Sequence, residues 1–450
     1  MRPTFDYDRR KRSALQYNEM MAKVVALAAV LFVGAMVAWS CSPFGGAGAF
    51  QCESDTECQG ARDGRCEPNG FCSFLDDTCG LGGRRYGGLS GSLAGTCVGV
   101  EPIDAAVIDT PVIDATLPEA GETCLGATGG LVQPCFAVAP SGTVTLAGAI
   151  DTDTSPLCSA IVSNTTACVI AAGSIQIDVA TTVTATGTKP LVLAATGTVT
   201  INGVLDVASH RGVIAPGASG NDATCDPGTP PTTNGNAGGG GGGGSFGAKG
   251  GDGGDGNGGG GPNGGTSGAT PLPPTTVRGG CKAQDGKEGA GAAATRGLGG
   301  NGGGVVYVIA GTTLSIGAGG VINASGAAGT NGIIARAGGG GGGSGGLVGL
   351  DAPTVTNGGV VFANGGSGGE GSGDNNPGKP GVDPTGAGPA VFGIGISNSG
   401  GDGGNGGAGA AGAGAIGLQS TDGGGGGGGV GVIRVFPLQA IGGAVSPPPT

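Results

Sequence analysis

Three uninterrupted glycine runs, at 238–244, 338–343 and 423–429, constrain this chain more than any other feature. Glycine offers no side chain to bury and loses more backbone freedom on folding than any other residue. Six or seven in a row therefore cannot form the core of an ordinary helix or strand. Two states remain. The runs are disordered linker, the usual fate of such tracts, or they pack backbone against backbone. Around them lie triplet-like stretches: GGDGGD at 250–255, GGSGGE at 365–370 and GDGGNGG at 401–407. A polyproline-II-type helix has three residues per turn. A Gly-Gly-X repeat then puts glycine on two faces and a polar side chain on the third. Glycine faces let backbones approach, pair N–H with C=O and add Cα–H···O contacts. Collagen does not fit, because glycine keeps no strict every-third register and proline is sparse inside the tracts.

Between the tracts the pattern alternates. Thr143-Val-Thr145, the run 174–179 (SIQIDV) and the run 181–185 (TTVTA) carry branched residues at period two, which is the strand signal. No amphipathic helix pattern follows residue 123. Residues 191–207 (LVLAATGTVTINGVLDV) and 305–324 (VVYVIAGTTLSIGAGGVINA) share one plan: strand, glycine turn, strand, glycine turn, strand ending in Asp or Asn. A shorter copy lies at 359–364. Short strands at near-regular intervals, none able to bury its face alone, predict an all-β chain with a parallel β-helix or solenoid-like body. Its glycine-rich insertions are polyglycine II or disordered. A β-sandwich with long insertions is the second fold, and parallel against antiparallel pairing separates the two.

The N-terminus reads as an export signal. Arg9, Arg10, Lys11 and Arg12 precede an apolar run from Val24 to Trp39, followed by Ser40 and Cys41. Sixteen apolar residues are short for a spanning helix, which needs about 20. Ala38-Trp39-Ser40-Cys41 resembles a bacterial lipobox, with Ala38 where Leu is usual and Trp39 where a small residue is usual. The resemblance implies lipidation at Cys41. An uncleaved anchor with its basic side inside and simple cleavage are the other readings.

Beyond Cys41 there are twelve cysteines: Cys52, Cys58, Cys66, Cys72, Cys79, Cys97, Cys124, Cys135, Cys158, Cys168, Cys225 and Cys281. In an exported chain an even set reads as disulfides. No two are close enough for a zinc knuckle, and His210 is the one histidine. Six cysteines crowd into 51–98, a stretch too small to fold without cross-links, and fifteen connectivities are open there. The run 71–79 (FCSFLDDTC), with 83–86 (GRRY) and 94–97 (AGTC), resembles a cysteine-rich module of predicted lipoproteins from myxobacteria and their relatives. That likeness implies a location and no activity. The glycine tracts resemble the polyglycine-helix bundles of some phage tail adhesin tips and of springtail antifreeze proteins.

The expected layout is a signal peptide or anchor at 1–40 and a tether at 41–50. The cysteine-rich module at 51–98 and an Asp/Pro/Ala linker at 99–122 follow. A strand-rich region at 123–212, a glycine-rich insertion at 213–303 and solenoid repeats with glycine tracts at 304–450 complete it. The linker repeats Ile103-Asp104, Ile108-Asp109 and Ile113-Asp114 among prolines, which keeps it extended.

The loop 250–258 (GGDGGDGNG) approaches a calcium-binding repeat but has Asn257 at the apolar position, and 400–408 (GGDGGNGGA) has Asn405 in place of Asp. Asp252, Asp255 and Asp402 are thus weak calcium candidates, and no cofactor is expected. His210 beside Arg211 reads as a turn residue leaving the solenoid. Carboxylates occur throughout, but no spacing selects a catalytic pair, and no phosphate-binding Gly-Lys-Ser/Thr loop occurs. After residue 40 there is no tryptophan and only Tyr86 and Tyr307, too few for a stacked sugar platform. Residues 1–40 hold six basic side chains against three acidic ones, so the net charge of −12 comes from the rest of the chain. An acidic body does not suit nucleic acid.

The expectation is a non-catalytic structural or adhesive protein of the outer membrane or cell surface. It would be held by lipid or an N-terminal helix, or secreted, with surface glycans or other envelope components as partners. The alternatives are a β-helical polysaccharide-active enzyme and an ice- or mineral-surface-binding protein. The last would use Thr-x-Thr ladders, of which Thr143-Val-Thr145, Thr184-Ala-Thr186 and Thr198-Val-Thr200 occur at unequal spacing.

Overall fold

The computed structural model describes residues 52–59, 63–79, 83–90, 93–98, 122–127, 129–159, 166–257, 261–270, 273–392 and 400–450. The expected leader, Cys41 and residues 99–121 of the linker lie outside these. The chain divides into two compact units, Met1–Ile113 and Asp114–Thr450.

In the first unit, β1 (Arg65–Cys66), β2 (Cys72–Leu75) and β3 (Arg84–Tyr86) form one antiparallel sheet. Disulfides join Cys52–Cys66, Cys58–Cys72 and Cys79–Cys97. Cys52, Cys58 and Cys72 are themselves the core, with Phe74 against them. The buried Glu67 accepts from the Ser73 hydroxyl at 2.5 Å and lies 3.4 Å from Arg84. Cross-links thus replace the apolar area that so short a stretch lacks.

The second unit is nearly all β-strand and extended backbone, with no α-helix among the described residues. β4 (Thr123–Cys124) and β5 (Cys135–Phe136) pair antiparallel and are closed by Cys124–Cys135. The chain then winds in turns of three strands. β6 (Thr143–Thr145) and β7 (Gly148–Asp151) open the stack. Four full turns follow: β8 (Cys168–Ala172), β9 (Ser174–Ile177) and β10 (Thr182–Thr186); β11 (Leu191–Ala195), β12 (Val199–Ile201) and β13 (Val204–Asp206); β14 (Val305–Ala310), β15 (Thr313–Ile316) and β16 (Val321–Asn323); β17 (Leu347–Asp351), β18 (Thr354–Asn357) and β19 (Val360–Phe362). β20 (Val432–Phe436) and β21 (Ala444–Ser446) close it. Equivalent strands stack into three sheets: a first of β8-β11-β14-β17-β20, a second of β6-β9-β12-β15-β18 and a third of β7-β10-β13-β16-β19-β21. Every pairing within these sheets is parallel. The antiparallel sandwich is thereby set aside, and the body is solenoid-like.

Alternation explains the core. Ile175, Val199, Leu314 and Val355 point inward at one level, and Ile177, Ile201 and Ile316 at the next. Each such side chain, fully buried, stabilises by about 1.5–3 kcal/mol. The first sheet is buried on both faces. Leu125 and Phe136 of the β4–β5 segment pack over Val192, Tyr307 and Ile309 on its outer side. There Tyr307 donates to Asp351 at 3.2 Å, and Asp351 accepts from the Ala127 amide at 2.9 Å.

Three insertions interrupt the turns: 207–304, 324–346 and 363–431. Each leaves after a strand of the third sheet and returns at the first. The glycine tracts they carry are ordered. Gly339, Gly342 and Gly345 donate to the carbonyls of Gly423, Gly426 and Gly429; these donate in turn to Gly238, Gly241 and Gly244. Gly241 and Gly244 close the ring by donating to Gly339 and Gly342. Bonds recur every third residue, the repeat of a polyproline-II-type helix. The three runs are thus parallel neighbours around one axis. The outgoing leg of the second insertion flanks the returning run in the opposite direction: Gly340, Gly343 and Gly346 donate to Thr330, Ala327 and Ala324. Only glycine allows such proximity, because a Cβ on Gly342 would sit 2.0 Å from the Gly366 carbonyl oxygen. Phe246, Cys281, Val305 and Leu347 cluster where bundle meets solenoid, beside the Cys225–Cys281 disulfide.

Candidate surface-binding face

The second sheet differs from its two neighbours. Its inward residues are the aliphatic rows given above, and its outward ones are polar and uncharged, all Thr or Ser but for Gln176. Short corners hold it: Gly173 alone between β8 and β9, two residues between β14 and β15, and two between β12 and β13. No insertion enters at either of its edges. The register therefore aligns outward side chains turn after turn. One rank runs Thr143, Ser174, Thr198, Thr313 and Thr354; the other runs Thr145, Gln176, Thr200, Ser315 and Thr356. Thr143, Thr145, Thr198, Thr354 and Thr356 are exposed, and the other five half-buried. Bonds along the ranks limit their motion: Gln176 Nε2 donates to Thr145 Oγ1 at 2.8 Å, and Thr198 Oγ1 lies 3.4 Å from Ser174 Oγ. The result is a two-by-five grid holding seven threonines and two serines.

Sequence spacing exposed only part of this grid. Thr143-x-Thr145 and Thr198-x-Thr200 belong to it. Thr184 and Thr186 do not: they lie on the third sheet, opposite Ala149 and Asp151, with Asp206 on Thr184's other side. Ser174, Gln176, Thr313, Ser315, Thr354 and Thr356 complete it: Ser174, Gln176, Thr313 and Ser315 carry no Thr-x-Thr, and the insertions at 207–304 and 324–346 separate turns that touch in space. The usable signal was a small polar residue flanking each inward aliphatic of the middle strand in every turn.

The other candidates are dispersed. Asp252 accepts from the Ser267 amide at 2.8 Å and its hydroxyl at 2.9 Å, and lies 3.4 Å from Lys249. Asp255 accepts from the Gly264 amide at 2.8 Å and from Gln419 at 3.2 Å. Asp402 contributes its main-chain carbonyl to Leu418. Two of these three carboxylates are thus used to tie glycine segments together. His210 sits past β13, 3.1 Å from Asp206 and 3.8 Å from Asp383. Hydrogen bonding to these two carboxylates pushes its pKa up to about 10. Asp383 also accepts from the Arg211 and Ala328 amides, so the cluster clasps three segments of chain. An open groove beside β20 is lined by Phe246, Pro273, Val430, Val432 and Pro448, with Arg434 as its one charged side chain.

Asp422 belongs to no motif of the sequence. It is fully buried among glycine segments. Burial pushes its pKa up to about 7, against the pull of Thr421, Arg336 and the Gly238 amide, while Asp374 adds to the rise.

The remaining cysteines pair as Cys158–Cys168 and Cys225–Cys281, so all twelve beyond Cys41 are bridged. Six disulfides suit an oxidising or extracellular setting. Among the described residues no helix is long and apolar enough to cross a membrane. No family model, no curated protein and no solved structure matches the chain.

Proposed function

We propose that this chain is an exported, non-catalytic protein of the cell envelope that attaches to an extended surface through the outward face of its second sheet. The observation that carries this reading is the grid: ten neutral polar side chains, nine of them Thr or Ser, in register on parallel strands. A soluble small molecule is usually taken in a concave pocket with a few convergent polar groups. A repeating, uncharged face suits a partner that is itself extended and repeating. The six disulfides support export. The basic cluster, the apolar run and Cys41 support a lipid anchor at the outer membrane or cell surface, with the cysteine-rich module and the acidic linker as spacer.

Adsorption of the oxidised chain to hydroxyl-, methyl- and carboxylate-terminated monolayers, followed on a quartz-crystal microbalance, tests the contact face. The chain is retained best on the hydroxyl layer. A Thr200→Tyr/Ser315→Tyr variant, with two rings standing above the grid, is retained less. Equal retention on all three layers, or by chain and variant alike, rejects the reading. Anchoring is tested separately: metabolic labelling with radioactive palmitate is lost in Cys41→Ser, and label that survives places the anchor elsewhere.

A further inference from the structure

We infer that the second-sheet grid is an ice-binding face. The inference rests on the surface-attachment reading above and names the surface. Neighbouring strands stand about 4.8 Å apart, and alternate residues of a strand about 6.6 Å apart. The ranks from Thr143 to Thr354 and from Thr145 to Thr356 therefore form a lattice of about those two spacings. Water in a tetrahedral network has O···O contacts of about 2.75 Å, which puts second-neighbour oxygens about 4.5 Å apart and repeats its layers about every 7.3 Å. The mismatch along a rank is about 0.3 Å per turn on these spacings and accumulates to about 1.2 Å over its four steps, still less than a hydroxyl travels between staggered rotamers. Across the ranks the shortfall of about 0.7 Å occurs once, since the grid is two positions wide.

Composition selects ordered water among solids. An ionic mineral is met by charged groups, and none of the ten positions is charged although the chain carries −12. A crystalline glycan is met by aromatic platforms, and the grid has none; Tyr307 lies buried at the first sheet. Threonine brings a methyl and a hydroxyl together. The methyls of Thr143, Thr145, Thr198, Thr200, Thr313, Thr354 and Thr356 withhold competing hydrogen bonds from nearby water, and the hydroxyls fix where the remaining bonds point. Rigidity matters as much as spacing, because a face ordered in advance loses little entropy on contact. The aliphatic rows beneath and the short corners beside the sheet supply it. The glycine bundle takes no part: its insertions leave and return at the one corner the second sheet does not share.

The test is incorporation of the oxidised, fluorescently labelled chain into a slowly growing ice hemisphere, against a labelled protein of similar size as tracer. The expected result is a bound pattern for the chain, reduced to tracer level in Thr200→Tyr/Ser315→Tyr and retained in Thr184→Tyr on the third sheet. Thermal melts of all three confirm that the fold is intact. Exclusion of the unaltered chain to tracer level overturns the inference, as does equal incorporation of the grid variant. If ice excludes the chain while the hydroxyl monolayer still retains it in a grid-dependent way, ice is the wrong surface and the attachment reading stands. If both measurements fail, both readings fall.

Discussion

The solenoid and the glycine bundle are contiguous parts of one compact unit, yet they are held together by opposite means. In the solenoid, side chains form the core and the backbone pairs between adjacent turns. In the glycine runs of the bundle side chains are absent, and the backbone is both the packing surface and the hydrogen-bonding surface. The two parts therefore tolerate different insults. A solenoid core position can shrink and leave a cavity. A bundle position cannot grow at all.

The strongest test of that contrast is Gly342→Val. Its Cβ would lie 2.0 Å from the Gly366 carbonyl oxygen, and Gly342 bonds to Gly426 on one side and accepts from Gly244 on the other. The bundle should lose its order, read as rapid proteolysis within the insertions 207–304, 324–346 and 363–431, while a strand-type circular dichroism signal from the solenoid persists. A variant as resistant as the unaltered chain would break the comparison. Ile201→Ala, at a fully buried solenoid position, should cost about 2–5 kcal/mol in denaturant unfolding without selective cleavage of the bundle.

Disulfides sharpen the comparison next. Cys225–Cys281 closes 56 residues of the glycine-rich insertion and Cys158–Cys168 closes 10. Loop-closure entropy assigns the longer bridge about 4 kcal/mol and the shorter about 3. Replacing both cysteines of a pair by alanine, one pair at a time, should therefore weaken the chain more at 225 and 281. The reverse order would mean that the insertion is already restrained when the chain is unfolded.

The smallest expected effect is a pH dependence. Asp422 titrates near 7 when folded and near 3.8 when unfolded. The fold thus holds the proton more tightly, and this group's contribution to stability is present below about pH 4 and lost as pH rises through about 7. Between pH 5 and 8 the chain should lose stability relative to Asp422→Asn. Parallel curves for the two would remove Asp422 as the cause.

The sequence made the solenoid legible because branched residues at period two survive in every turn, as in 191–207 and 305–324. It left the grid obscure because register is a property of neighbouring turns, and 98 residues separate β13 from β14. The state of the glycine runs was undecided for a related reason. Their partners lie about a hundred residues away, as Gly241 is from Gly339, and no local pattern records such a bond. Asp422 was invisible because Thr421-Asp422-Gly423 reads as a solvated turn. Only the packing of neighbouring glycine segments turns it into a buried acid.

That every insertion opens at the same corner ties the growth of the two parts together. Duplicating one turn with its insertion would add two positions to the grid and a new outgoing and returning glycine segment to the bundle. The new segments would find donors and acceptors waiting on the bundle's rim, just as the new strands would on the open end of the stack. A lineage could lengthen such a protein in whole units, and the area of the face and the girth of the bundle would then rise in step.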